Sequence, residues 1–370
     1  MNVIIAHQTF ADGDAIGNDI KGMYKVLEAN KFNVFIFCEN DLSNSPWMKR
    51  IKYENVIRMI KDKSTLIIYH HSIFWENGEK LLANSNCKVI IRYHNITPQH
   101  YFRRYSRGYF EITEKGRKQT IRLLGYDRFF WLNDSQFNCN EIIAQGKPLN
   151  LTAVLPPFHN IEDLNNLLPD KNILEDLKKK NYSNVLIVGR IAPNKGHKKL
   201  IQVVNAYKNL FHSKIKFWVV GSIDPGLNLY FNELNKWIRR YGLENNIYFT
   251  NKVSDNALKS YFLGSDIFLC LSEHEGFCVP LIEAQFFGLP IVAIQSSAIS
   301  ETIGTNQEVF DAFDSAAIAV VIEKIINNKE FASNLIKEGK KNFESRFLKE
   351  KIEKDFLSII NKQIMGGGSQ

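Results

Sequence analysis

The sequence has little of what marks small secreted, membrane-spanning or fibrous proteins. Only five of its 370 residues are cysteine and none form a Cys-x-x-Cys pair, so neither a disulfide framework nor a structural zinc site is predicted. No apolar run approaches the roughly 18 residues needed to cross a bilayer, and the apolar start is too short for a signal-peptide core. With 21 glycines and 10 prolines, the chain is not collagen-like. We therefore expect a globular protein of the cytoplasm.

Positive charge is in excess, with 47 Lys and Arg against 39 Asp and Glu, and a net charge of +8. This balance favours anionic partners. Residues 92–128, called the basic segment here, hold nine basic and three acidic residues. No nucleic-acid-binding motif accompanies them, so no nucleic acid partner is predicted. Two interpretations stay open for the segment: a solvated surface, or peripheral contact with the anionic inner face of the plasma membrane through its interleaved aromatic residues. These are Tyr101, Phe102, Tyr105, Tyr109 and Phe110.

Short apolar runs alternate with helix-length amphipathic stretches along most of the chain. The runs lack polar alternation, which is typical of strands buried on both faces of a parallel sheet. Strands that alternate with helices indicate βαβ units, so the sequence predicts an α/β fold. The runs are residues 3–6, 34–38, 66–69, 89–93, 129–132 and 153–155, and then 185–188, 217–220, 247–249, 267–271 and 291–294.

A proline-containing, polar stretch interrupts this alternation and divides the chain into two halves. We predict a doubly wound domain over 1–156, a hinge over 157–182 and a second doubly wound domain over 183–345. A helix over 346–365 is expected to pack back on the first domain, and 366–370 reads as a flexible tail. In such sheets, ligands bind at the carboxyl ends of the strands.

The most informative motif follows the predicted strand at 267–271. Glu275 lies in a strand-to-helix loop, while Glu283 projects from the first turns of the helix that Pro280 helps to begin. Two ionised carboxylates at a helix mouth suit hydrogen bonds from a polyhydroxylated ligand, and Gly276 allows close approach of the backbone. The alternative is a surface helix whose acidic residues interact with its dipole.

A second motif follows the first strand of the second half. Arg190 and Lys195 lie at a strand end, next to glycines and the start of a helix. Such an arrangement suits a diphosphate. The alternative is a pair of solvated loop cations, which is the commoner fate of such residues.

Together the two motifs resemble a known family. Residues 275–284 resemble the E-x7-E signature of retaining glycosyltransferases of family GT4, residues 288–293 its G-x-P-V-V-A strand entry, and residues 189–196 its G-R-x-x-x-x-K-G diphosphate clamp. The resemblance implies the GT-B fold, in which two Rossmann-like domains face each other across a cleft. The first domain would bind the acceptor and the second the nucleotide sugar.

The resemblance also implies roles for individual residues. Cys278 stands where the family often has glycine, so its thiol would line the sugar pocket. Glu275, His94, Arg190 and Lys195 would form the catalytic group. The donor would be bound by Glu275, Gly276, Phe277 and Cys278 at the sugar, by Glu283 at the ribose, by Gly189, Arg190 and Lys195 at the diphosphate, and by the strand end with Val253 and Asp255 at the nucleobase.

In the first half, His94 resembles the family's histidine near the reacting sugar, and His70 at another strand end is a weaker candidate. The motif Asp12-Gly13-Asp14 has the D-x-D pattern of a metal site. Because Gly13 and Gly17 suit the glycine-bearing loop of GT-B enzymes, and Arg190 and Lys195 would neutralise the leaving group, we interpret Asp12–Gly17 as an acceptor-side loop. No metal and no other cofactor is expected.

The expected activity is that of a retaining hexosyltransferase in cell-surface glycan synthesis. Residues 12–20 and 93–98 look most like those of bacterial surface-polysaccharide mannosyltransferases, which favours GDP-mannose as donor and a lipid-linked or polysaccharide acceptor. UDP- and dTDP-sugars stay open as alternative donors. Two alternatives remain: a GT-B phosphorylase or sugar-nucleotide epimerase, and a non-catalytic subunit that binds a sugar nucleotide.

Overall fold

The computed structural model describes residues 1–179, 182–211 and 214–365, so the predicted tail at 366–370 lies outside the described residues. The chain forms two compact units. The first unit comprises Met1–Pro98, Glu111–His159 and the chain from Phe347; the second comprises Gln99–Phe110 and Asn160–Arg346.

Strands and helices alternate along the chain, as the sequence predicts. The strands are β1 (Asn2–Ala6), β2 (Thr9–Ala11), β3 (Asn33–Phe37), β4 (Asn40–Leu42), β5 (Leu66–His71), β6 (Lys88–Tyr93), β7 (Phe130–Asn133), β8 (Thr152–Val154), β9 (Ser183–Val188), β10 (Ile215–Val220), β11 (Ile247–Asn251), β12 (Ile267–Cys270), β13 (Ile291–Ile294) and β14 (Glu308–Phe310). The helices are α1 (Ala15–Ala29), α2 (Tyr53–Met59), α3 (Glu76–Ala83), α4 (Arg107–Leu124), α5 (Gln136–Ala144), α6 (Ile161–Asn166), α7 (Lys171–Leu177), α8 (His197–Leu210), α9 (Asn228–Arg240), α10 (Asp255–Gly264), α11 (Val279–Phe286), α12 (Ile299–Ile303), α13 (Ser315–Asn327), α14 (Lys329–Arg346) and α15 (Lys349–Met365).

The first unit is built on a parallel sheet with the strand order β3-β1-β5-β6-β7-β8. Successive residues of β1 face opposite sides of this sheet: Val3 and Ile5 belong to one apolar core, and Ile4 and Ala6 to the other. Both faces are therefore covered, which explains why the strands are continuously apolar. From β1 the chain continues to β3 at one edge of the sheet, and from β5 it continues through β6 and β7 to β8 at the other edge. The topological switch point therefore lies at the carboxyl ends of β1 and β5.

Helix α15 packs in the first unit. Ile352, Phe356 and Ile360 are fully or almost fully buried in the core that contains β1. The Lys88 ammonium donates hydrogen bonds to the carbonyls of Gln363 and Ile364, at 2.9 and 2.6 Å. These cationic contacts at the end of the helix complement its dipole.

The second unit repeats the design, with a parallel sheet ordered β11-β10-β9-β12-β13-β14. From β9 the chain winds outwards to β11, and from β12 it winds the other way to β14. The switch point therefore lies between the carboxyl ends of β9 and β12, the two strands that precede the candidate motifs.

The structure differs from the sequence-based boundaries in three places. Helix α1 begins at Ala15 with Asp14 as its N-cap, whereas the sequence pattern predicts a helix over 19–29 with Asn18 as the N-cap. The stretch predicted as a hinge, 157–182, contains α6 and α7. Residues 99–110, which the prediction assigned to the first domain, are grouped with the second unit. In the described part of the chain, no helix combines the length and the apolar character that a membrane span requires.

Candidate functional site

The loop after β9 carries the predicted diphosphate motif. Gly189 has a φ of 152° and Gly196 a φ of 73°, both in the range that favours glycine. A Cβ at Gly196 would lie only 1.9 Å from the Leu271 carbonyl oxygen, so glycine lets the start of α8 approach the end of β12. The motif thus lies directly against the loop that holds the predicted carboxylates.

Lys195 and Glu275 meet at this switch point. The Lys195 ammonium donates to a Glu275 carboxylate oxygen at 2.6 Å. The Glu275 side chain is 9% exposed and that of Lys195 25%. Burial is the largest single effect and would lower the pKa of Lys195, but the charge and hydrogen bond of Glu275, together with the electrostatic effects of Cys278 and Cys270, hold the pKa above its usual value. Lys195 is therefore a cation at neutral pH, next to a partly buried anion.

Residues that the sequence did not single out fix the loop around Glu275. Its backbone N–H donates to the Ser297 hydroxyl at 2.7 Å, and the Thr302 hydroxyl donates to the Phe277 carbonyl at 2.7 Å. The Asn194 backbone carbonyl accepts a hydrogen bond from the Glu273 N–H at 2.8 Å. The Asn194 side-chain amide donates a hydrogen bond to the His274 carbonyl at 3.1 Å. The two motif loops are therefore joined to each other and to the segment after β13.

Glu283 lies in α11 and is 7% exposed. Among the described residues, its carboxylate has no hydrogen-bond or ion-pair partner. Burial, and after it the charge of Asp255, raises the pKa of Glu283 to about 7. A buried carboxyl group without a protein partner is costly unless a ligand supplies hydrogen bonds.

Cys278 is the N-cap of α11 and has a φ of 75°. That backbone conformation explains why glycine suits the position. A hydrogen bond with the Cys270 thiol, and then burial, raises the pKa of Cys278. The thiol therefore stays neutral beside the Lys195–Glu275 pair. Gly276 is half-buried in the same loop, and Phe277 is buried.

Arg190 has different partners from Lys195. Its Nη1 lies 3.5 Å from a carboxylate oxygen of Asp224 and 3.3 Å from the Tyr109 hydroxyl, and the guanidinium lies over the Tyr109 ring. The side chain is 43% exposed. The two predicted clamp cations are thus both in the second unit, but each is held by its own acidic residue.

The predicted nucleobase contacts lie at the end of β11. Val253 is half-buried against the core beneath β12, and Asp255 is the exposed first residue of α10. Asp255 is coupled electrostatically to Glu283, whose pKa it raises. The structure therefore brings Asp255 and Glu283 into one neighbourhood, and Lys195 and Glu275 into direct contact.

In the first unit, His94 is part of a buried polar network at the carboxyl ends of β5 and β6. Its Nδ1 lies 2.8 Å from an Asp134 carboxylate oxygen, and its Nε2 lies 2.8 Å from Nδ1 of His70. Both ring nitrogens of His94 thus have protein partners. His70 is fully buried, and burial followed by the charge of His94 lowers its pKa well below the usual value. His70 is therefore neutral.

Arg92 supplies the positive charge of this network. It is fully buried, with Nε 2.8 Å from Asp19 and Nη2 2.8 Å from Asp134. This corrects its assignment to a surface-exposed basic segment. Ligand atoms of Asp19, His70 and His94 lie within 4.8 Å of one another and could hold a metal ion, but the Asp19 oxygen nearest the two histidines already accepts from Arg92.

The Asp12–Gly17 loop is held by contacts within the first unit. Asp12 forms an ion pair with Lys21, and its other oxygen accepts the Asn44 N–H at 2.6 Å. The Asp14 carboxylate accepts the Gly17 N–H at 2.5 Å. A Cβ at Gly17 would lie 2.0 Å from the Ala11 carbonyl oxygen, so glycine is required there. Gly13 has a φ of 77°.

Most of the other cations in the basic segment are exposed, and several of them pair with acidic residues. Arg117 pairs with Glu141 at 2.8 Å, and Arg122 pairs with Glu79 at 2.6 Å. Phe102 is 1% exposed. The five aromatic residues Tyr101, Phe102, Tyr105, Tyr109 and Phe110 are therefore more buried than most of the cations of the segment, which lie at the surface. Of the aromatic residues in the segment, Tyr101, Tyr105, Tyr109 and Phe110 are half-buried.

Known proteins resemble this chain in sequence. Residues 170–342 match the family described as Glycosyl transferases group 1. Mannosylfructose-phosphate synthase of Agrobacterium fabrum (strain C58 / ATCC 33970) is 21% identical over 336 residues, which cover 84% of this chain and 72% of the relative. The capsular polysaccharide biosynthesis glycosyltransferase CapM of Staphylococcus aureus is 26% identical over 198 residues. That match covers 52% of this chain and only 50% of CapM.

Solved structures resemble it over almost the whole chain. Anabaena Alr3699/HepE in complex with UDP and glucose has a TM-score of 0.77 at 16% identity, with coverage of 98% of this chain and 99% of that one. Sucrose-phosphate synthase from Thermosynechococcus elongatus has a TM-score of 0.73 at 15% identity and 98% coverage of both chains. The predicted GT-B fold is thus confirmed, and residues 170–342, which hold the Lys195–Glu275 pair, match the group 1 glycosyl transferases as the GT4-like motifs led us to expect.

Proposed function

We propose that the protein is a retaining hexosyltransferase that moves a sugar from a nucleoside diphosphate donor to a glycan or lipid-linked acceptor. The observation that carries the proposal is the Lys195–Glu275 pair at the switch point of the second sheet, 2.6 Å apart and partly buried. A cation held there suits the diphosphate, and a carboxylate there suits sugar hydroxyls. Glu283, buried and without a partner in the described part of the chain, suits the ribose hydroxyls.

The donor is a nucleoside diphosphate sugar. Lys195 has three N–H donors, of which one goes to Glu275, so two are left for phosphate oxygens. The N-terminus of α8, next to Gly196, adds backbone N–H groups that favour an anion. The HepE neighbours were solved with UDP and with UDP-glucose, which supports this donor class. GDP-mannose is our first choice and UDP-glucose the second.

Transfer requires that negative charge developing on the leaving diphosphate be stabilised. Lys195 and Arg190 would do this, with charge fixed in place before the reaction. In a retaining reaction, the bond from the anomeric carbon to the phosphate oxygen breaks while a bond to the acceptor oxygen forms on the same face. The leaving phosphate oxygen would take the acceptor's proton, so we assign no separate general base. Glu275 would orient the donor sugar through its hydroxyls.

We assign acceptor binding to the first unit, at the Asp12–Gly17 loop and the network around His94. Because both nitrogens of His94 have protein partners, we propose that His94 shapes this surface rather than transferring a proton itself. The capsular polysaccharide relative supports a role in cell-surface glycan synthesis. We propose that this reaction needs no metal and no other cofactor. A cytoplasmic location at the inner face of the plasma membrane is part of this proposal.

A panel of GDP-, UDP-, dTDP- and ADP-sugars in a thermal-shift assay tests the donor class, since selective binding raises the melting temperature. We expect the sugars of one nucleotide to stabilise the protein. We also expect that nucleotide sugar to be hydrolysed slowly when no acceptor is present. Lys195→Met should abolish both the shift and the hydrolysis. Absence of a shift with every nucleotide would overturn the proposal.

A further inference from the structure

An aromatic segment, Gln99–Phe110, is grouped with the second unit although the residues on both sides of it belong to the first. We call it the aromatic strap. Phe102 is buried in a small apolar cluster with Ala192 and Leu227, so the strap packs directly on the loop that carries Arg190 and Lys195. The Tyr101 hydroxyl donates to the Glu273 carbonyl at 3.1 Å.

A second anchor lies further along the strap. The Lys198 ammonium donates to the Tyr105 hydroxyl at 2.6 Å and to Glu233 at 2.9 Å, and the Tyr105 and Tyr230 rings meet edge to face. These contacts engage the first turn of α8. The strap therefore contacts the diphosphate motif at Ala192 and the helical turn that follows the motif at Lys198.

Tyr109 is the strap residue that reaches Arg190. Its hydroxyl donates to Asp224, and its ring lies 5.4 Å from the Arg190 guanidinium. The same ring packs on Gly226, where an added Cβ would lie 3.0 Å from a ring carbon. The Gly226 N–H donates to Asp224 at 2.8 Å. Tyr109 and Asp224 are thus hydrogen-bonded to each other, and the absence of a side chain at Gly226 leaves space for the Tyr109 ring.

Among the described residues, the hydrogen-bond partners of the Arg190 guanidinium are all contacted by one nitrogen, Nη1. Nη1 contacts Asp224 and the Tyr109 hydroxyl, while Nε and Nη2 have no hydrogen-bond partner among the described residues. The Tyr109 ring covers one side of the guanidinium through a cation–π contact. The Nε/Nη2 edge, one of the two edges through which a guanidinium can bind a phosphate in bidentate fashion, therefore has no competing partner among the described residues.

We propose that Tyr109 and Asp224 are positioning residues for Arg190. They bind Nη1 and cover one face of its guanidinium, so that Nε and Nη2 point to the donor diphosphate. This rests on the proposed function, in which Arg190 binds that diphosphate. A guanidinium that is already oriented loses less conformational entropy on binding than a free arginine side chain does.

The test is a double-mutant cycle on nucleotide affinity, because residues that act through a common partner have non-additive effects. Calorimetry with UDP and GDP on the full chain would give Kd for wild type, Tyr109→Phe, Asp224→Asn, Arg190→Ala and both double variants with Arg190→Ala. Tyr109→Phe and Asp224→Asn should each weaken binding about 3- to 10-fold, the range expected for one hydrogen bond. In the Arg190→Ala background, either change should have less than about a 2-fold effect.

Glu233→Gln is the matched control: it removes a charge that faces Lys198 in the same unit and leaves the partners of Arg190 in place. It should leave Kd within about 2-fold of wild type in both backgrounds. Melting temperatures close to that of wild type would show that each variant folds, and Tyr109→Phe keeps the ring that packs on Gly226.

Four results would overturn the inference, and they differ in whether the proposed function also fails. Equal losses with and without Arg190 would refute positioning alone and leave the proposed function intact. Tighter binding by Asp224→Asn would show that Asp224 competes for Arg190 instead of orienting it. Unchanged affinity in Arg190→Ala, or no binding of UDP or GDP to wild type, would overturn the role of Arg190 in the proposed function as well.

Discussion

The Lys195 ammonium and the Glu275 carboxylate lie 2.6 Å apart, although 80 positions separate them in the chain. Each residue follows one of the two strands that flank the topological switch point of the second sheet. Because the pair is only partly exposed, each charge would be poorly solvated without the other. The same geometry leaves two Lys195 N–H donors and one Glu275 oxygen for a ligand.

Loss of this pair should abolish transfer with little change in fold. For Lys195→Met and for Glu275→Gln, we expect turnover to fall about 100- to 1,000-fold, as is typical when one preorganised electrostatic group is removed. Lys179→Met is the matched control, since Lys179 is exposed and pairs with Asp176 on the surface. Steady-state rates with the donor found in the panel measure the effect. Wild-type turnover in either site variant would refute the site.

Glu283 should make stability depend on pH. Its pKa is about 7 in the folded chain against the usual 4.5, so the folded state binds the proton more tightly. The stabilisation is complete below about pH 4.5 and is lost as the pH rises through 7. Glu283→Gln should therefore raise the free energy of unfolding at pH 8 by about 2–3 kcal/mol and have little effect at pH 4.

Urea unfolding without nucleotide at these two pH values checks this prediction. Glu344→Gln, on the exposed face of α14, should reproduce the wild-type pH dependence. An equal effect of Glu283→Gln at both pH values would contradict the assignment of a raised pKa.

Arg92→Met should strongly destabilise the first unit. The substitution leaves Asp19 and Asp134, which are 0% and 6% exposed, without their shared cation. Breaking a buried ion pair from one side costs about 3–5 kcal/mol. Arg122→Met removes a much more exposed pair with Glu79 and should cost less than about 1 kcal/mol. Urea midpoints compare the two variants; similar midpoints would show that the buried network contributes little.

Chelation tests the expectation that no metal is needed. Treatment with EDTA followed by gel filtration should leave turnover unchanged, because the proposed charge on the leaving group is balanced by Arg190 and Lys195. Asp12 and Asp14 have partners within the first unit, in Lys21 and in the Gly17 N–H. Loss of activity that Mg²⁺ restores would instead support the D-x-D interpretation of these two residues.

Much of the second unit could be predicted from the sequence. The strand-loop-helix context of Glu275 and Arg190 can be recognised locally, because an apolar run, a glycine turn and an amphipathic stretch follow one another within about 30 residues. Parallel sheets then bring the ends of all strands to one edge. The proximity of Lys195 to Glu275 follows from that rule once both are placed at strand ends.

The aromatic strap could not be predicted. Its sequence, basic and aromatic, is equally compatible with a membrane-facing surface, and nothing local shows that Phe102 packs with Ala192 and Leu227. Arg92 was misassigned for the same reason, since its cationic side chain is buried only because Asp19, 73 positions earlier, lies beside it. Charge alone does not reveal burial, which depends on partners far away in the chain.

The sequence by itself determined the alternating order of strands and helices, and it determined which loops carry the carboxylates and cations. These features depend on local periodicity and turn chemistry, which short segments encode. Only the tertiary structure decided which charge pairs with which: Lys195 with Glu275, Arg190 with Asp224, and Arg92 with Asp19 and Asp134. Such pairings join positions 34 to 80 residues apart, and packing of the whole chain selects them from many pairs of equal chemistry.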